Sequence, residues 1–271
     1  MSKRISMAMA VLGAVGTLAG CNLAQPASGC FVQDSANWQA KYVLKDPSLS
    51  GLSCGQYKGE SMGVFKYTNP DASEQEVAEN RSSRVAIRPD RLAALYAASY
   101  QVDSGKVDKD GKPILTTVTV PRAEVNQDPS NATGLSTTLA QEPNDDGLCL
   151  ATGFNTARVE APAAYKKTEH GSGLIVGAET ISYSYENIEV YSAPSSPGTQ
   201  LRGTVRITDN NCTAEYEVWA LWPARACDPA APISATNCGS AQNINPDFDV
   251  VCDPDIKRCV PAKAPPSFKN Q

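Results

Sequence analysis

The sequence predicts a mainly antiparallel all-β fold: a β-sandwich or open barrel with one or two short helices and a disulfide-stapled C-terminal segment. Three observations predict it. Between Ala178 and Trp222 apolar and polar residues alternate through three successive runs, the period of half-buried strands. Strand-like runs never alternate with long helical ones, so there is no βαβ rhythm to suggest a parallel sheet. The third is a set of eight cysteines, Cys30, Cys54, Cys149, Cys212, Cys227, Cys238, Cys252 and Cys259, an even number that reads as a disulfide framework if the chain is exported.

The N-terminus indicates export. Lys3 and Arg4 precede an apolar run from Met7 to Leu18, and small residues then lead to a ninth cysteine, Cys21. That is the layout of a secretory signal with a cleavage site. It resembles the bacterial lipoprotein signal, whose lipobox here reads Leu18-Ala19-Gly20-Cys21. The resemblance implies that residues 1–20 are removed and that Cys21 receives a thioether-linked diacylglycerol and an acylated N-terminus. Residues 21–29 then form a lipidated tether, which reaches at most roughly 30 Å when extended. An apolar run of about a dozen residues is too short to span a bilayer, which takes ~20. In that family an Asp after the cysteine retains the protein at the inner membrane. Asn22 stands there instead, so the outer membrane is expected, with the periplasmic or surface-exposed face left open.

The chain has 24 basic and 29 acidic residues, and loss of Lys3 and Arg4 leaves it more acidic still. An acidic body gains nothing from counterion release, which argues against nucleic acid or an anionic membrane surface as partner.

In the expected body, residues 30–222, Met62–Tyr67 has strand composition. Ser73-x-x-Glu76 is a capping-box pattern at the start of a short polar helix, and Val85–Ile87 reads as a strand. Pro89 and Asp90 open the clearest helix, with Leu92, Leu95, Tyr96 and Ser99 on one face. Asp108–Pro113 holds an Asp-Gly turn before the alternating run Ile114–Val120. The spacing of a calcium loop fails there, since Lys106 takes the place of the first acidic ligand; Asn144–Gly147 is likewise read as an Asx turn.

From Ile181, Tyr183 and Tyr185 the alternation changes parity at Ile188 and Val190, which calls for a β-bulge near Glu186-Asn187. A two-residue turn at Asn210-Asn211 then fixes the next hairpin. Asp209 faces Cys212, Ile207 faces Ala214, Val205 faces Tyr216 and Leu201 faces Ala220 on the apolar side. Arg206 faces Glu215 and Arg202 faces Trp219 on the polar side, as a charge pair and a cation–π contact. Residues 223–262 hold four cysteines and six prolines with little periodicity, so they are expected to lie stapled against the body. Residues 263–271 read as a disordered tail.

Eight cysteines allow 105 pairings. Proximity favours Cys30–Cys54 and Cys252–Cys259. Cys212, on the apolar face at a strand start, is expected to bridge to Cys149, leaving Cys227 with Cys238. Metal ligation competes poorly, because there is no Cys-x-x-Cys pair and His170 is the only histidine.

Gly51-Leu52-Ser53-Cys54-Gly55 matches the G-x-S-x-G nucleophile elbow. That chemistry needs the serine between a strand and a helix, with its oxyanion loop earlier in the chain. Here the oxyanion-like His170–Gly173 stretch follows the serine, so a glycine-rich disulfide loop is the better reading. No phosphate loop, repeat or heptad occurs, and no cofactor is implied.

The functional expectation is a non-catalytic protein-binding or structural module of the cell envelope, with a protein partner of unknown identity. Its recognition surface is placed on the polar hairpin face at Arg202, Arg206, Glu215, Glu217 and Trp219, because Trp and Arg are enriched at hot spots. A lipid or small apolar-ligand carrier with a β-barrel cavity is the alternative.

Metabolic labelling with a fatty-acid probe tests the anchor. The wild-type chain is expected to incorporate label and Cys21→Ser to lose it; equal labelling of both would overturn the lipobox reading.

Overall fold

The computed structural model describes residues 29–122, 128–168, 171–194 and 196–270. The signal, nearly all of the tether, Cys21, His170 and Gln271 lie outside the described residues.

The chain begins with β1 (Ser35–Leu44), β2 (Gly59–Thr68), α1 (Glu74–Ala78), β3 (Ser83–Pro89) and α2 (Asp90–Ala94). A long hairpin follows, β4 (Ala97–Val107) with β5 (Pro113–Pro121), and then the short β6 (Gly134–Leu135), β7 (Thr138–Leu139), β8 (Leu148–Thr152) and β9 (Ala157–Ala161). Next come a second hairpin, β10 (Ala164–Thr168) with β11 (Gly171–Val176), and the three long strands β12 (Glu179–Tyr191), β13 (Gln200–Asp209) and β14 (Cys212–Leu221). β15 (Val250–Asp253) and β16 (Arg258–Pro261) close the chain. The main sheet runs β6-β3-β2-β1-β14-β13-β12-β8-β7, and β9 also pairs with β12.

That order makes the sheet curl. Its two ends, β6 and β7, are consecutive in sequence and only two residues apart. Ser136 N–H bonds Val85 O on one side of the gap, and Thr137 N–H bonds Thr152 O on the other. One short segment therefore bridges both edges, and the result is an open barrel rather than a sandwich. Trp38, Met62, Ile87, Ile181, Tyr183, Ile188, Leu201, Ile207 and Tyr216 are wholly buried, so the concave face is filled.

The hairpin register agrees with the sequence in every pair, from Asp209↔Cys212 to Arg202↔Trp219. The bulge also lies where the parity change puts it, between Glu186 and Glu189, with Asn187 at φ 49. Ser73 and Glu76 form the expected capping box. Asp108 Oδ1 accepts from Asp110 N and Lys112 N, and Asn144 Oδ1 accepts from Asp146 N and Leu148 N. Both sites are thus turns held by their own side chains.

The expected helix after Pro89 is cut short at Ala94. Leu92 and Leu95 are buried as its apolar face requires, but Ser99 lies in β4 opposite Thr119. Pairing with β5 overrides the helical spacing, since propensity is a weak prior against a full ladder of strand hydrogen bonds. The disordered tail is also corrected. Phe268 is 8% exposed and packs on Tyr191 and Phe248 with ring centroids 5.5 and 5.4 Å apart. Ser267 N–H donates to Gln200 Oε1 at 2.8 Å. With Cys238, Ile244, Val250 and Cys259, these rings form a second small core that borrows Leu148, Tyr191 and Leu221 from the body.

All eight remaining cysteines are paired, but not as expected. The bonds are Cys30–Cys149, Cys54–Cys212, Cys227–Cys252 and Cys238–Cys259. Proximity fails because the segment after Trp222 lies along β16. Cys227 N–H bonds Lys257 O, and Cys259 N–H bonds Arg225 O, which lays this segment on the β15–β16 hairpin, where Cys252 is bonded to Cys227 and Cys259 to Cys238 although the two hairpin cysteines are cross-strand partners. Cys212 finds Cys54, in a 3-10 turn at Ser53–Gly55, while Cys149 holds the start of the folded chain. Bonds spanning 119 and 158 residues each restrict the unfolded chain by about 5 kcal/mol in the chain-entropy account.

Non-reducing peptide mapping is expected to return these four pairs and no Cys252–Cys259 peptide. Recovery of Cys30 with Cys54 would refute the pairing of the entering chain with β8.

Candidate functional site

The expected recognition residues lie on the outer, convex face of β13 and β14. Arg206 reaches Glu215 at 3.7 Å and Glu186 at 3.6 Å, and Lys45 reaches Glu215 at 2.5 Å. Trp219 Nε1 donates to Glu217 Oε2 at 3.3 Å. Four of the five predicted residues thus share one charged ladder.

Arg202 turns away from it. Its Nε bonds Glu189 at 2.7 Å and its Nη1 donates to Pro265 O at 3.0 Å. The cation over Trp219 is Lys41 of β1, 5.8 Å from the ring centroid, and Lys41 also pairs with Asp253 at 3.5 Å. The expected Arg202–Trp219 contact is therefore replaced, because β1 sets Lys41 directly opposite Trp219 and the C-terminal segment draws Arg202 aside. Lys41, Lys45, Glu186 and Glu189 were not legible as site residues. Lys41 and Lys45 come from β1 and the residue after it, whose pairing with β14 is not local, and Glu186 and Glu189 come from β12, beside β13.

The concave face holds a polar cluster that hydropathy patterning does not reveal. Glu60, on β2, accepts from Tyr42 OH at 3.0 Å and Tyr183 OH at 2.6 Å through one oxygen. Its other oxygen accepts from Arg91 N at the start of α2, at 2.7 Å. Tyr216 OH donates to Cys54 O, and Tyr183 stacks on Tyr185 at 6.2 Å. The only sequence signal was the alternation of Ile181, Tyr183 and Tyr185; nothing local marked Glu60 as their partner.

Burial raises the Glu60 pKa above its ordinary 4.5, against the lowering effect of its three donors. Burial, then the Glu60 charge, pushes the Tyr42 and Tyr183 hydroxyls far up, so both stay protonated donors. Above the cluster a recess of about 440 Å³ is lined by Tyr57, Glu60, Arg91 and Asp209 among others. Tyr57 OH donates to Asp209 Oδ2 at 3.2 Å, and Arg91 lies 5.5 Å over the Tyr57 ring. Arg91 then meets Glu179 at 2.5 Å, and Glu179 also takes Arg122 at 3.3 Å. Every charged group named here already has a partner, so the arrangement works as a structural tie between strands.

The comparisons with known proteins bear on the whole of this architecture. The MlpA family model matches residues 36–223, which spans the curled sheet from β1 through β14. The chain belongs to the MlpA family. A relative from Myxococcus xanthus, named "Putative lipoprotein MlpA", is 35% identical over 274 residues, covering 98% of this chain and 98% of its own. No solved structure matches. The chain is thus a bacterial lipoprotein, a membrane-anchored protein of the cell envelope. The MlpA match ends at the residue where the Cys/Pro-rich segment begins, while the relative aligns through that segment as well.

In this MlpA-family fold the serine of the G-x-S-x-G match sits in the 3-10 turn beside disulfide-bonded Cys54. The turn leads into β2 rather than out of a strand into a helix. The geometry of a nucleophile elbow is missing there.

The Glu60 tie predicts a pH signature. A carboxyl whose folded pKa is raised adds stability below its unfolded value, and loses it as pH climbs through the folded value. Thermal melting of wild type is expected to fall from about pH 4.5 upward by a component that Glu60→Gln lacks. Glu60→Ala, which leaves two buried hydroxyls unpaired, is expected to cost about 3 kcal/mol below pH 4.5 and less as pH rises, because the wild type loses stability there and the variant has no such component to lose. Parallel pH profiles for wild type and Glu60→Gln would refute the assignment.

Proposed function

We propose that this MlpA-family lipoprotein is a non-catalytic module of the outer membrane, held by lipid on Cys21, which binds a protein partner in the envelope. The observation that supports the reading is the filled interior. Trp38, Tyr42, Met62, Tyr183 and Tyr216 occupy the concave face, where a carrier would need an empty apolar cavity. What the fold offers instead is surface on a rigid frame. Asn22, rather than Asp, after the lipidated cysteine supports the outer membrane.

The point at which the described chain enters the body also favours presentation. Phe31 N–H bonds Ser192 Oγ at 2.7 Å, and Gln33 N–H bonds Gly198 O, so the chain enters at the C-terminal end of β12. The β4–β5 and β10–β11 hairpins leave from its other end, where Arg122 bonds Glu179 and Gly177 O. β12 has 13 residues, about 40 Å of strand. The hairpins therefore project from the end of β12 opposite the one where Phe31 and Gln33 enter.

Recognition falls to the outer face around Arg206, Glu215, Glu217 and Trp219. Its ion pairs are solvent-exposed, and pairs of that kind contribute only about 0–1 kcal/mol each to stability. They can be exchanged for partner contacts at little cost to the fold.

Cross-linking in intact cells followed by pull-down tests this. A reproducible envelope protein is expected with wild type and lost with Trp219→Ala, while Trp219→Phe retains it. Co-purified lipid without any protein partner would favour the carrier instead.

A further inference from the structure

A groove of about 700 Å³ lies at the β2–β3 edge of the sheet, away from the outer face of β13 and β14. Its volume is in the range of small-molecule sites. Tyr67 and Arg84 are direct cross-strand partners, so their side chains rise together from one face. The next pair along that face is Phe65 with Ala86, and the small Ala86 side chain leaves the hollow. The far wall comes from Asn131, in a 3-10 turn at Pro129–Ala132, and from Asn155. Asn155 is fixed in place: its Oδ1 accepts from Leu135 N at 2.6 Å and its Nδ2 donates to Thr133 O at 3.2 Å.

The charges in the groove are unevenly committed. Arg81 pairs with Glu79 at 2.7 Å, and Glu76 is held in the capping box by Ser73. Arg84 is exposed and, among the described residues, has no carboxylate within ion-pairing distance. The Tyr67 ring beside it is 59% exposed. A preformed hollow in an acidic chain thus presents a bare aromatic face, the Arg81 and Arg84 guanidiniums set against the single Glu76 carboxylate, and a rim of amides and hydroxyls.

The geometry points to a binding site for an acidic saccharide. An apolar ligand would cover the Arg84 guanidinium without offering it a partner, which is unfavourable. A peptide adding as a strand would need a free backbone edge, but β3 is already engaged there. Ala86 and Ile87 pair with Leu135 and Gly134, and Val85 bonds Ser136 in both directions. A sugar ring fits both halves of the lining. Its C–H face stacks on Tyr67, its hydroxyls donate to and accept from the rim, and its carboxylate or phosphate takes Arg84 in a forked pair. This site stands independently of the protein-binding face.

Calorimetric titration of the full mature protein, lipid anchor included and held in detergent, tests the site. The probes are trigalacturonate, the phosphorylated sugar glucose 6-phosphate, the neutral maltotriose, and inorganic phosphate. Saturable binding of one of the two acidic sugars, at least roughly tenfold tighter than of maltotriose and of phosphate, is the expected result. Which of the two it is tells carboxylate from phosphate. Arg84→Gln and Tyr67→Ala are each expected to weaken it by roughly tenfold or more with unchanged melting, since both side chains are exposed. No saturable binding of either acidic sugar, binding unaffected by Arg84→Gln, or phosphate alone binding as tightly would overturn the proposal.

Discussion

Glu60 sits on β2, yet two of its three donors come from neighbouring β1 and from β12, which lies four places along the sheet. A carboxylate buried without partners would cost several kcal/mol. It is tolerated only because the curl delivers Tyr183 from the far side and α2 delivers a backbone N–H. The dependence is mutual: Tyr42 and Tyr183 would otherwise carry unpaired hydroxyls into the core. A flatter sheet would carry Tyr183 away from Glu60 and leave both groups short of a partner in the core, so the curvature of the sheet and the polarity of its core form one constraint.

Two disulfides hold that curvature from within the core. Cys54–Cys212 ties the turn before β2 to the start of β14, and Tyr216 bonds the carbonyl of the same Cys54. Cys30–Cys149 fixes the entering chain to β8, near the seam where the two edges of the sheet meet. A load on the chain entering at Gly29 therefore passes into the frame through a covalent bond. The C-terminal pair of disulfides lies close together, with Cys227, Cys238 and Cys259 sulfurs within 4.8 Å of one another, and presses the last segment onto the outer face by Lys41 and Arg202.

The surfaces left open suit a presented module. The concave side is packed, one outer face is a ladder of exchangeable ion pairs, and the β2–β3 edge carries the Tyr67–Arg84 groove. The two hairpins extend from the end of β12 opposite the one where Phe31 and Gln33 enter, their bases locked by Arg122, which is 6% exposed. In an MlpA-family lipoprotein these features lie at different places on one rigid body, so separate contacts could be made at once.

What the sequence alone determined is what local periodicity and local turns can encode. The β12–β14 meander, its bulge and its hairpin register were legible because parity and an Asn-Asn turn fix pairing within a few residues. The Ser73 capping box and the Asx turns were legible for the same reason. Only the tertiary structure decided the rest. Cysteine partners 119 and 158 residues apart, Lys41 over Trp219, Glu60 beneath Tyr183 and Phe268 against Tyr191 all depend on non-local strand order. No local pattern records that order, because it follows from closing the sheet on itself, and closure is a property of the whole chain.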